Sequence, residues 1–472
     1  MKRSVQIVLL SLILLLALLL RIWHYTGPIG SDDHDYYLAA YDIYQGAYQP
    51  TENYWKNRFA MILPITASYA VLGTNEYAAA AWPMLSALGA IAVCFFLGKS
   101  LVDARAGLLG GLLLAFYPLD IHYSGLILPD IPLSFLMAAS VLAFLRATEG
   151  GRFSLPLFFT SGLLMGVSYS ARSMSIILLP FFLVYAAFFV RKIKWGYALF
   201  ALGGFAVLAL EGLYYHLHDL SPFYNLWLNK QAALEVNASG ECSTSQLYYP
   251  QVVTRNLSVF GPYFYLFVPA LLLPVVKRER GPLILALWAG IILLILQFGI
   301  VSLSPLIHVV KVRKFLNYAT VPLILLSAWA LLQLRLRLRI AVVVLVAGLS
   351  LYFLRPYRYS MNSTPETSGS NIRQVARYLA EAPPKPIYAD PRTQAMLTIF
   401  SEFSFTPERF RNLYEVKSAY DLKNCYVVIN GYYAQFDSAK PWVPRFVGHY
   451  PEGIPGEWVL KDFYLSGVYT VP

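Results

Sequence analysis

The chain alternates long apolar runs with short polar connections. About eleven runs approach the roughly 20 apolar residues that a bilayer crossing needs. They lie at residues 4–22, 77–98, 106–119, 131–147, 154–171, 174–190, 196–214, 260–276, 282–303, 315–334 and 339–354. A shorter run, 59–72, contains Pro64 and reads as re-entrant or interfacial. The first run is followed by Arg21-Ile22-Trp23-His24-Tyr25 where a removed signal would have small residues, so it reads as a retained span. After Arg355 the apolar runs stop. Residues 371–380 have the period of an amphipathic helix, and 386–388 and 426–430 read as strands.

The charges orient these spans. Lys2 and Arg3, Lys99 and Arg105, Arg146 and Arg152, Arg191, Lys192 and Lys194, Lys277, Arg278 and Arg280, and Arg335, Arg337 and Arg339 all fall in connections on one side. Short basic connections mark the cytoplasmic face, which puts the N-terminus inside and the C-terminus outside. The outer side then carries loops 23–76, 120–130, 215–259 and 304–314. The expected organisation is a polytopic α-helical membrane domain, 1–355, followed by a small outer-side α/β domain, 356–472.

Composition agrees. The chain is 57% hydrophobic and 13% charged over 472 residues, with mean hydropathy +0.53. A soluble domain carries about 25% charged residues. The net charge of +11 is a topogenic signal rather than a nucleic-acid footprint, because the basic residues sit between spans. Cys94, Cys242 and Cys425 form neither a zinc spacing nor a disulfide framework. The outer-side pair Cys242 and Cys425 would bridge only in an oxidising compartment.

Ionisable groups collect on the outer side. Loop 23–76 holds Asp32, Asp33, His34 and Asp35 at the start of a helix expected to run from a Ser31 cap to about Gln45, with Gly46 as its stop. Its tyrosine-rich face would lie along the membrane. The second loop holds His122, Tyr123 and Asp130, and the fourth holds His308, Lys311, Arg313 and Lys314. Lys56, Arg58 and Arg172 lie on the same side. Each set has a plainer explanation: acids complementing a helix dipole, Asp130 capping a helix, cations meeting lipid headgroups. Together they fit a general base beside a phosphate-binding site. Glu211, near the outer end of a span, is either functional or a snorkelling side chain.

These residues resemble the GT-C superfamily of membrane glycosyltransferases, and within it the protein O-mannosyltransferase and lipid A aminoarabinose transferase group. The likeness rests on Ser31-Asp32-Asp33-His34-Asp35-Tyr36-Tyr37 after the first span; the stretch from Lys56-Asn57-Arg58 through Pro64 to Gly73; Ala104-Arg105-Ala106-Gly107; Tyr123-Ser124-Gly125 with Pro129-Asp130; and Arg313-Lys314-Phe315-Leu316-Asn317-Tyr318 before Pro322. The resemblance implies that Asp33 or Asp32 is the base and that Asp130 assists it or helps hold a metal. It implies a donor-phosphate contact at Lys56 or Arg58; Lys311, Arg313 and Lys314 are further donor-phosphate candidates as outer-side cations that topology does not require. The family's Lys-Pro-Pro element has Asn57 and Arg58 in place of its prolines, so the phosphate contact is Lys56 or Arg58. His34, Asp35, His122, Tyr123 and His308 are further substrate or metal contacts. Metal dependence varies across the superfamily: either no cofactor is used, or Asp33, His34 and Asp130 hold a divalent Mg or Mn ion.

The expected function is transfer of a sugar, with inversion, from a polyprenyl-phosphate donor to a hydroxyl on a glycan, lipid or protein acceptor. It would occur at the outer face of a bacterial or archaeal inner membrane, among membrane lipids and without nucleic acid. A transporter or flippase of a lipid-linked saccharide would instead need ionisable groups near mid-span on several helices. A noncatalytic assembly protein would leave the acidic cluster and the outer cations unused.

Overall fold

The computed structural model describes the chain apart from residues 26, 30, 191–194, 239–244, 246, 304–305, 363–367, 417–420, 431–458 and 463–465. Among the described residues nine helices are long and apolar enough to cross a membrane: Arg3–Trp23, Glu76–Leu101, Asp130–Glu149, Ser173–Val190, Gly196–His216, Leu257–Lys277, Arg280–Phe298, Arg313–Leu332 and Leu336–Leu354. Counting the pair Ala104–Ala115 and Pro118–Ser124, bent by 61°, as one span gives ten.

The expectation of about eleven spans stands close to this number. The run 106–119 breaks before Pro118, which lacks the N–H that would continue the helical ladder. The run 154–171 forms the 18-residue helix Ser154–Ala171, packed against the helix Gly196–His216. The run 282–303 also ends early: its helix stops at Phe298, and Ile300–Leu303 (β1) pairs antiparallel with Leu306–His308 (β2). The 59–72 run is a 14-residue helix with Pro64 inside, shorter than a span.

The chain divides into two compact units. The first is Met1–Tyr25, Gln49–Pro64 and Trp82–Leu354; the second is Thr26–Tyr48, Ile65–Ala81 and Arg355–Pro472. Helix contacts in the first unit use small residues, as expected where lipid supplies no hydrophobic drive for helices to associate. Gly162 and Gly166, one turn apart, lie against the helix Gly196–His216. A Cβ at Gly162 would sit 1.8 Å from the Phe200 carbonyl oxygen, and one at Gly203 would sit 2.3 Å from that of Phe159. Ser140 and Ser161 each donate to the other's carbonyl oxygen at 2.8 Å, joining the next pair of helices.

The second unit is built on a five-stranded sheet of order β4-β3-β5-β7-β6. Its strands are Ile387–Ala389 (β3), Phe410–Asn412 (β4), Cys425–Asn430 (β5), Val459–Asp462 (β6) and Ser466–Val471 (β7). β3 is parallel to β4 and β5, whereas β7 is antiparallel to β5 and β6. All six β5 residues are buried, so both sheet faces are covered. Tyr426 and Val428 enter one core with Ile372, Val375 and Leu379 of the helix Ser368–Glu381. Cys425, Val427 and Ile429, alternating with them, enter the other with Leu413 and Tyr469. Cys425 is a free thiol in that core, and Cys242 lies outside the described residues, as do Arg191, Lys192 and Lys194.

The glycine contacts give a direct test. Gly162→Leu forces a side chain into a neighbouring backbone and should destabilise the protein by about 3 kcal/mol or more. Thermal unfolding in detergent reads this as a clear fall in midpoint, while Gly290→Leu, where a Cβ would meet no neighbour, should change little.

Candidate active site

The acidic cluster of the first loop belongs to the second unit. Asp33 opens the helix Asp33–Tyr44, and Asp32, not Ser31, is its N-cap residue; Asp32 makes no side-chain capping bond. Gly46, at φ +70°, follows the helix end and donates to the Ile43 carbonyl, the expected stop. Asp33 is fully buried. Its Oδ2 accepts the Ile29 N–H at 2.6 Å, while Oδ1 has no hydrogen bond. Burial raises its pKa above the usual carboxylate value, opposed by the Ile29 bond and the neighbouring His34. His34 contacts the Ser31 carbonyl through Nδ1, and its Nε2 lies 3.7 Å from Asp35.

The tyrosine face of this helix is buried at its start, while Tyr44 at its end is exposed. Tyr36 and Tyr37 are fully buried, and the Tyr37 hydroxyl donates to the Glu76 carbonyl at 3.2 Å. Tyr41 stacks on Phe403 of the C-terminal region at 3.8 Å with rings nearly parallel. Arg373 clasps the Glu76 carboxylate with bonds of 2.7 and 3.1 Å. These contacts draw loop segments into the sheet unit, which sequence spacing gave no means to foresee.

The remaining expected site residues belong to the first unit. Asp130 opens the helix Asp130–Glu149, but its side chain makes no capping bond. Its carboxylate is fully buried and Oδ1 accepts from the Tyr318 hydroxyl at 3.0 Å and from Arg172 at 3.3 Å; Oδ2 has no hydrogen bond. Arg172 also lies over the Phe315 ring at 4.5 Å. A buried carboxylate is tolerated here because a cation and a hydroxyl converge on one of its oxygens. Tyr318 also lies within electrostatic reach of Arg58, which sits over Tyr54 at 4.5 Å.

A second buried cluster occupies the same unit. The second loop is not a loop at its start, since Asp120, His122 and Tyr123 all lie in the buried helix Pro118–Ser124. Asp120 forms an ion pair with Arg21, with both side chains almost wholly buried. His122 packs edge-on against His24 at 5.9 Å and Tyr123 at 4.9 Å, and Arg313 acts electrostatically on it.

The other expected cations differ in setting. Lys311 is buried and donates to the Ser245 carbonyl at 2.9 Å. Arg313 and Lys314 are half-buried at the start of the turn Arg313–Ala319, and His308 is exposed at the end of β2. Lys56 is half-buried in the turn Tyr54–Asn57. Asn57, fully buried, fixes that turn by donating to the Thr51 and Asn53 carbonyls at 2.7 and 2.8 Å. Hydrogen bonding thus rigidifies a turn that prolines would fix through their rings.

Among the described residues no three His, Cys, Asp or Glu side chains gather as a metal site. His34 is engaged by Ser31 and Asp35, and Oδ1 of Asp130 by Arg172. The sequence reading missed the Arg21–Asp120 pair and the roles of Arg172 and Tyr318. Its available signal was the presence of Arg21 and Asp120 at the edges of apolar runs.

The buried pair yields a measurable consequence. Asp120→Asn leaves the Arg21 guanidinium without its counter-charge and should cost about 3–5 kcal/mol. Thermal unfolding should show this loss, with much of it recovered by Arg21→Met in the same chain.

A family model for dolichyl-phosphate-mannose-protein mannosyltransferase matches residues 60–214. No curated protein sequence matches significantly. Solved structures match over nearly the whole chain. ArnT from Cupriavidus metallidurans bound to undecaprenyl phosphate aligns at TM-score 0.65 and 15% identity, covering 99% of this chain and 98% of that one. Its apo form gives 0.64 and 16%, with 97% of each chain covered. The oligosaccharyltransferase AglB from Archaeoglobus fulgidus, with an inhibitory peptide and dolichol phosphate, gives 0.55 and 14%, covering 85% of this chain and 64% of that one. In fold over its whole length, and in sequence over residues 60–214, the chain resembles the GT-C membrane glycosyltransferases.

Proposed function

We propose that this protein transfers a sugar from a polyprenyl-phosphate donor to a hydroxyl acceptor at the outer face of a cell membrane. The observation that carries the proposal is the whole-length likeness to ArnT bound to undecaprenyl phosphate, joined by a similar fold in an enzyme bound to dolichol phosphate. The short basic connections support an inside N-terminus and an outside C-terminal region.

In this reading a carboxylate of the first loop, Asp33 or Asp32, takes the proton from the acceptor hydroxyl. The acceptor oxygen then attacks the anomeric carbon, and the bond from that carbon to the phosphate oxygen breaks. The electron pair leaves on the phosphate, so polyprenyl phosphate is the second product and the sugar carbon is inverted. Asp33 suits the base role because its burial raises its basicity and leaves Oδ1 without a hydrogen bond. Arg58 and Arg313, with Lys56, Lys311 and Lys314 nearby in sequence, balance the charge that grows on the departing phosphate. Asp130, clasped by Arg172 and Tyr318, is the assisting acid of the second loop.

Incubating membranes with a panel of labelled polyprenyl-phosphate sugars should yield one labelled product. Asp33→Asn should lower transfer by at least a hundredfold at normal expression; undiminished transfer, with the loss found instead in Asp32→Asn, would move the role by one residue. A base must be deprotonated to act, so transfer should rise with pH through the raised Asp33 pKa. The acid limb of the pH–rate profile should therefore lie above the usual carboxylate range. Arg313→Ala should raise the KM for donor more than that for acceptor, and an equal effect on both would remove Arg313 from the phosphate site.

A further inference from the structure

Glu211 carries a feature that the proposed chemistry leaves unused. It lies in the apolar helix Gly196–His216, yet it is buried rather than snorkelling, with 8% of its surface exposed. A carboxylate in such a helix is costly unless it is partnered. Its partner is Asn225 of the helix Tyr224–Ala238, whose Nδ2 donates to Glu211 Oε1 at 2.6 Å.

The bonding continues in one direction. Asn229 Nδ2 donates to Asn225 Oδ1 at 2.7 Å and to the Asn225 carbonyl at 2.8 Å. Ser173 Oγ donates to Asn229 Oδ1 at 2.9 Å. Every donor in the series Ser173, Asn229, Asn225 points toward Glu211. Glu211 Oε1 takes the Asn225 Nδ2, which leaves Asn225 Oδ1 to accept from Asn229; together with the Asn225 carbonyl, that bond turns Asn229 Oδ1 toward the Ser173 hydroxyl.

The far end of this chain is adjacent to the candidate site. Ser173 follows Arg172, the residue that clasps Asp130. Arg172 sits at a break, with extended backbone (φ −166°, ψ 128°), between the helix Ser154–Ala171 and the turn Ser173–Leu178. At such a junction no continuous helix fixes the side-chain direction. The turn is instead pinned through Ser173, and Arg172 through Phe315 and Asp130.

We infer that Glu211 is a positioning residue: through Asn225, Asn229 and Ser173 it holds the Arg172 guanidinium on Asp130 in the orientation that sugar transfer needs. The inference rests on reading Asp130 and Arg172 as site residues. Glu211 itself touches no substrate in this account.

Glu211→Ala and Ser173→Ala should each lower kcat for transfer roughly tenfold, with little change in KM for donor. The double variant should lose no more than the larger single loss, since both break one chain. Glu211→Gln keeps an acceptor oxygen for Asn225 and should restore most of the rate. A double-variant cycle on thermal unfolding of the full-length protein, with no substrate, should show the same non-additivity. Additive losses in the rate or in the unfolding cycle, or a Glu211→Gln variant as impaired as Glu211→Ala, would overturn the inference. Asp130→Asn separates the two levels. If Asp130→Asn transfers normally, the site reading fails; if it is inactive while Glu211 and Ser173 behave additively, only the positioning role fails.

Discussion

Charge buried in an apolar helical unit is the constraint on which this structure turns. Arg21, Asp120, Asp130 and Glu211 lie in or beside helices that otherwise present leucine, isoleucine and phenylalanine. Each would be prohibitive alone in such surroundings, and each has a specific partner. Arg21 takes Asp120; Asp130 takes Arg172 and Tyr318; Glu211 takes Asn225. These pairings tie helices distant in sequence at defined points. They therefore place the second-loop acid and its neighbours more firmly than apolar packing could.

Close helix approach has a complementary cause. The helices Ser154–Ala171 and Gly196–His216 meet through glycines, with backbone carbonyls where side chains would otherwise stand. One contact surface leads to Arg172 at the end of the first helix, and the other to Glu211 near the end of the second. The polar chain through Asn225, Asn229 and Ser173 begins and ends near these termini, so glycine packing and hydrogen bonding constrain the same corner of the unit.

Much of the candidate site was visible as residue types, but not as partnerships. Asp33 and Asp130 stood out because carboxylates beside apolar runs require a reason. Their expected local roles were nonetheless displaced. Asp130 begins a helix without capping it, and Asp32 takes the N-cap position expected for Ser31. Of the tyrosines after Asp33, read as a membrane-facing stripe, Tyr36 and Tyr37 are buried and Tyr41 stacks on Phe403, while Tyr44 is exposed. An apolar face looks the same in sequence whether lipid or protein covers it.

Membrane class, most span positions, the helix 371–380 and the strands at 386–388 and 426–430 were legible in the chain alone. These follow from local periodicity and hydropathy, which the bilayer and the sheet both reward over short stretches. The folded chain alone brings Arg21 to Asp120 across 99 residues, Tyr318 to Asp130 across 188 and Arg373 to Glu76 across 297. Such pairings depend on which helices become neighbours, and helix order in space is not encoded in the spacing of any single run.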